Sequence, residues 1–128
     1  MAIKVKVLKE VPGLYKIILL YQFRRTPGVY FDLVPRSAFK EISAIDRVIH
    51  EAGAMSPGPV GDVESPWYMH PNQDDNLVVL YGTRHVELYT KKHGKIEYFK
   101  VSPNEIWHQS QLIYDGPALL SWPRGCLS

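Results

Sequence analysis

Residues 16–23 and 29–34 are dense in leucine, β-branched and aromatic side chains, and Arg24-Arg25-Thr26-Pro27-Gly28 separates them. Pro-Gly supplies a fixed φ followed by a tolerated positive φ, so the two runs predict a hairpin. From Pro35 the spacing changes. Apolar residues in Arg36-Ser37-Ala38-Phe39-Lys40-Glu41-Ile42 fall at helical intervals behind a proline suited to a first turn, which predicts one short helix. Residues 45–51 predict another strand, and residues 53–66, rich in glycine and proline, predict a loop. Beyond it, short strands are expected at 66–70, 76–81, 84–90, 95–101 and 117–122, while 103–116 reads equally well as a helical turn or a strand. Short strands at regular spacing with one helix favour a sandwich or barrel.

Composition narrows the class. A chain of 128 residues fits one domain, and with 45% hydrophobic and 22% charged residues it has the usage of a compact globular protein. The net charge of +2 comes from scattered lysines and arginines, not a basic stripe, which argues against nucleic acid as a partner. The longest apolar run, 17–21, is too short to span lipid, and residues 1–7 alternate charged and apolar side chains where a leader would carry a continuous apolar core. With one cysteine, Cys126, no intrachain disulfide can form. A cytoplasmic protein that does not enter the membrane is expected.

The run Tyr68-Met69-His70-Pro71-Asn72-Gln73-Asp74-Asp75-Asn76, followed by Leu77-Val78-Val79-Leu80-Tyr81-Gly82, sets an imidazole and a carboxylate at the start of an apolar segment. Tyr68 and His70 are two apart and share a face if extended. A histidine beside a carboxylate can serve as a general base or a metal ligand. Asp75 in Asp-Asp-Asn also suits a turn, because short polar side chains bond their own backbone. Trp67, Gln73, Tyr81, Arg84 and Trp122 are candidate lining residues for a pocket beside His70, although most aromatic side chains in such a chain serve the core.

These residues resemble the cupin family, whose first motif reads G-x5-H-x-H-x4-E-x6-G and whose second contains P-x-G-x2-H. Counting back from Gly82 places Asp75 at the motif's glutamate and His70 at its second histidine. Tyr68 stands at the first histidine, Asp62 at the leading glycine with Gly61 beside it, and Pro123-Arg124-Gly125 is followed at the last histidine position by Ser128. The resemblance spans residues 45–128. It implies a mainly β, single-domain jelly-roll barrel with one short helix. Residues 1–44 would contribute N-terminal strands and that helix, and 45–128 the barrel core. Because the family continues into a further strand after its second motif, the final strand is expected to be missing or borrowed, with the open edge covered by another chain or by the N-terminal strands.

Functionally, the resemblance implies a small polar organic ligand beside His70. The metal-free dTDP-sugar epimerases of the family suggest an isomerase- or epimerase-type proton transfer, with His70 as base and Asp75 and Tyr68 as its partners; no cofactor is required. One alternative is a metal-dependent oxygenase or isomerase holding iron, manganese or zinc on His70 and Asp75. Another is a non-catalytic metabolite sensor. A homodimer is expected.

Overall fold

The computed structural model describes residues 3–42, 44–58, 60–64 and 66–128. Positions 1 and 2 of the N-terminal alternation, and 59 and 65 of the glycine- and proline-rich loop, lie outside the described residues. The described chain is mainly β: β1 (Lys6–Val11), β2 (Tyr15–Leu19), β3 (Tyr21–Thr26), β4 (Val29–Leu33), β5 (Asp75–Leu77), β6 (Arg84–Leu88), β7 (Glu97–Ser102), β8 (Glu105–His108), β9 (Gln111–Tyr114) and β10 (Ala118–Trp122). They form two four-stranded antiparallel sheets, ordered β1-β2-β10-β5 and β6-β7-β8-β9, and a separate β3-β4 hairpin. None of these sheets closes on itself, so the barrel closure expected from the sequence is not seen among the described residues. The edge of β10 is covered from both sides, by β2 from the N-terminal part and by β5.

Period-two alternation decides what is buried. Tyr15 and Ile17 of β2, Leu120 and Trp122 of β10, Val86 and Leu88 of β6, Phe99 and Val101 of β7 and Ile106 of β8 form one apolar cluster between the two larger sheets. Tyr15 meets Phe99 edge-on across the gap, ring centroids 4.8 Å apart. The first sheet is covered on its other face too, because Ile18 and Leu119, which pair there, are both buried.

The predicted hairpin forms with Pro27-Gly28 as its two-residue loop and Gly28 at φ +77°. The apolar run 16–23, however, is divided between β2 and β3, which belong to different sheets, with the Leu20 amide between them bonded to the Pro117 carbonyl. Of the expected helix only one 3-10 turn forms, Arg36–Ala38, because Phe39 is already extended (φ −117°, ψ 136°) and so short a segment cannot repay helix nucleation. No strand forms over 45–51. Ile45, Val48 and Ile49 are 91%, 63% and 68% exposed, since apolar residues spaced by three and one offer a sheet no single face. The expected strand 66–70 reduces to a bridge between Met69 and Leu127, and 76–81 to the three residues of β5. The ambiguous segment 103–116 is a hairpin, β8-β9, turned by Gln109 (φ 50°) and Ser110 (φ 68°). Two successive positive φ angles are the geometry of a type I′ turn, whose usual Asn-Gly signature is absent here.

Cys126 is buried, with its Sγ 3.6 Å from the Leu14 carbonyl oxygen. Burial pushes the thiol pKa up to about 11. Native protein at pH 8 is therefore expected to react with a thiol-specific disulfide reagent at least ~100-fold more slowly than urea-unfolded protein, whose thiol titrates at ~8.5. Equal rates would mean that the C-terminal segment does not pack as described.

Candidate functional site

His70 lies where the chain runs antiparallel to the C-terminal residues. The Tyr68 and Ser128 backbones exchange N–H···O bonds of 2.8 and 2.9 Å, and the Gly125 amide donates to the His70 carbonyl at 2.9 Å. Leu127 in turn bonds to Tyr89. Tyr68 and Ser128, which occupy two histidine positions of the cupin-type pattern, thus stand directly opposite each other. The Tyr68 ring stacks on the His70 imidazole at 6.2 Å with planes 20° apart. The expectation that these two side chains share a face holds.

Asp75 comes from β5 and pairs with Trp122 on β10, so its side chain projects to the core side of the sheet. Its Oδ2 is 3.6 Å from His70 Nε2, an ion-pair distance and longer than a direct hydrogen bond. Trp122 Nε1 is buried, and among the described residues no acceptor meets it at full hydrogen-bond geometry. The indole N–H lies on the Asp75 side, near enough to favour the carboxylate but outside hydrogen-bonding geometry.

The adjacent aspartates are tuned in opposite directions. Burial raises the Asp75 pKa, against the opposing pull of His70 and the Trp122 indole. Asp74 is lowered, chiefly by the Arg124 backbone N–H bonded to its Oδ1 at 2.9 Å. Asp74, just ahead of β5, is held by Arg124, while Asp75, the first residue of β5, faces the core beside His70, which separates a structural carboxylate from one free to take part in chemistry. Arg124 also reaches Glu41 at 3.1 Å, tying residues 36–41 over the outer face of the first sheet. There a polar depression of about 420 Å³ is lined by Lys16, Ser37, Lys40, Asn76 and Ser121 among others; His70 is not part of its wall.

The remaining sequence candidates disperse. Tyr81, a candidate lining residue, is 95% exposed: β5 ends at Leu77 and the chain leaves the sheet towards a bend at Gly82 (φ +76°). Gln73 is exposed, and Trp67 sits 6.4 Å from the Tyr89 ring. Arg84 is half-buried at the start of β6, and burial lowers its pKa. Among the described residues no group of three or more His, Cys, Asp or Glu side chains is placed to hold a metal ion.

A second polar cluster, absent from the sequence-based candidates, is built on β7 and β8. Glu97, 4% exposed, accepts from His108 Nε2 at 2.6 Å, His93 Nε2 at 2.8 Å and Gln109 Nε2 at 2.9 Å. Burial alone would raise its pKa; the His108 and His93 hydrogen bonds, the charge interaction with His108 and the Gln109 bond outweigh it and hold the pKa at about 2. The signal for this cluster is the β7-β8 register: Phe99 pairs with His108, so His108 shares the core face with Glu97, two residues further along. It can be found only once residues 105–108 are taken as a strand.

Compared with protein-family models, with curated proteins and with solved structures, the chain matches none. Among the described residues no helix is long and apolar enough to cross a membrane.

Proposed function

We propose that this chain, read as a cupin-like β-sandwich, binds a small polar organic ligand beside His70, with His70 as the base for an isomerase-type proton transfer. The observation that carries this reading is the Asp75–His70 pair, Oδ2 to Nε2 3.6 Å, with the Trp122 indole turned towards the same carboxylate. Asp75, within ion-pair distance of His70 Nε2, stabilises the imidazolium formed when the ring takes a proton. Tyr68, stacked on the ring, restricts its rotation and offers a flat face to the ligand. A carbonyl compound supplies an acidic C–H, next to its polar oxygen, for His70.

The test is a nuclear magnetic resonance titration with a panel of sugars, hydroxy acids and keto acids. The Trp122 indole proton is expected to move downfield together with the His70 ring signals, and His70→Ala is expected to weaken binding by at least tenfold. Binding that leaves the Trp122 indole signal unmoved would refute this site.

A further inference from the structure

We propose that Lys9 is a nucleophilic amine, activated by His108 and Glu97 to form a Schiff base with a small carbonyl compound. The first support is an irregularity in β1. Val7 pairs with Ile18 but Lys9 pairs with Ile17, so Leu8 is an extra residue, a β-bulge. In an unbroken register Lys9 would stand opposite Lys16, on the outer face of the sheet. The bulge moves it opposite Ile17, which belongs to the core between the sheets. A lysine is thereby turned inward at a sheet edge, yet remains exposed.

The second support is what it meets there. Lys9 Nζ lies 3.0 Å from His108 Nδ1, and His108 Nε2 lies 2.6 Å from Glu97 Oε2. An ammonium has donors only, so Nδ1 must be the acceptor of this contact, and the ring proton must reside on Nε2, where it is donated to Glu97. This fixes the tautomer and makes a polarised chain: Lys9 to His108 to Glu97. A nucleophile within hydrogen-bond reach of a base, itself oriented by a third group, is the general arrangement for activating a weak nucleophile. Phe99 stacks flat on His108 at 4.8 Å and 14°, and His93 and Gln109 occupy the other sites on Glu97, so the imidazole and the carboxylate are held in place.

In the step itself, the Lys9 ammonium passes one proton to His108 Nδ1. The amine lone pair attacks the carbonyl carbon, a C–N bond forms, and the C=O π pair moves to oxygen. His108 returns its proton to that oxygen, then takes a second proton from the attacking nitrogen and passes it to the resulting hydroxyl, which leaves as water while the freed nitrogen lone pair closes the C=N bond. The protonated imine carries the charge of the original ammonium, and nothing is oxidised or reduced. In water the first transfer climbs about four pK units. The ionised Glu97, acting as a positioning residue behind the ring, holds the ring proton on Nε2 and so leaves Nδ1 free to take the proton.

The experiment is competitive labelling of the full chain with limiting acetaldehyde and cyanoborohydride, with each lysine quantified by peptide mass spectrometry. Lys6, on the same strand and exposed, is the internal reference. At pH 7, Lys9 is expected to be modified at least tenfold faster than Lys6, and His108→Gln is expected to remove that advantage. Should that variant not fold, the wild-type chain unfolded in urea decides: there Lys9 and Lys6 are expected to be modified at equal rates. Equal rates for Lys9 and Lys6 in the native chain, an advantage that survives in folded His108→Gln, or one that survives in urea would each overturn the proposal.

Discussion

Glu97→Ala is expected to destabilise the fold by about 3–5 kcal/mol, the range for removing one partner of a buried charged network. The carboxylate is 4% exposed and accepts three hydrogen bonds, so its loss strands His93, His108 and Gln109 at once. Glu97→Gln keeps the shape and one acceptor but offers the histidines an N–H where one of them needs an oxygen, and about 2 kcal/mol is expected. Dependence on pH separates this network from simple packing. The folded-state pKa of about 2 lies below the ordinary 4.5, so the unfolded chain binds a proton more readily than the native one. The contribution is therefore fully present above pH 4.5 and is lost as pH falls through 2; at about 1.4 kcal/mol per unit it amounts to about 3 kcal/mol. Urea unfolding of wild type and Glu97→Gln at pH 7, 5 and 3 measures it. The gap between the two proteins is expected to hold from pH 7 to 5 and to narrow by pH 3. An unchanged gap would mean that the ionised carboxylate is not the source of the stability.

The Glu97 network also shows why the sequence discloses one polar site and hides the other. His70 and Asp75 are five residues apart in a motif-like run, and a local spacing argument brings them together, as the 3.6 Å approach does in three dimensions. Lys9 and His108 are 99 positions apart. Their meeting depends on a one-residue bulge in β1 and on a Gln109-Ser110 turn lacking the usual glycine signal, neither of which apolar patterning reveals. The strands whose alternation is strict, such as β6 and β7, lie close to where it predicts them. The run 16–23 is different: the apolar stretch 17–21 within it marks a buried segment but not where the chain passes from one sheet to another, and the β3 residues that follow are largely exposed.

Hydrophobic character alone misleads most over residues 45–51, and a pair of substitutions makes that contrast measurable. Leu120→Ala is expected to cost about 3–4 kcal/mol, through lost transfer free energy and a residual cavity, and to lower the melting temperature by about 10 °C. Leu120 is fully buried and sits on the central strand β10, opposite Ile17 on one side and Leu77 on the other. Atoms of β2 and β5 are tethered by their backbone ladders and cannot collapse far into the space left behind. Ile45→Ala removes a side chain of similar size from a position that is 91% exposed, and the expected change is within about 0.5 kcal/mol. Equilibrium denaturation of both variants, with the dependence on denaturant concentration unchanged from wild type, reads the two values directly. A cost above about 2 kcal/mol at Ile45 would show that this isoleucine is covered in the molecule in solution, since only a buried side chain of that size can carry such a loss. A cost below about 1 kcal/mol at Leu120 would instead remove β10 from the centre of the core, and with it the placement of Trp122 and Asp75 on which the His70 site depends.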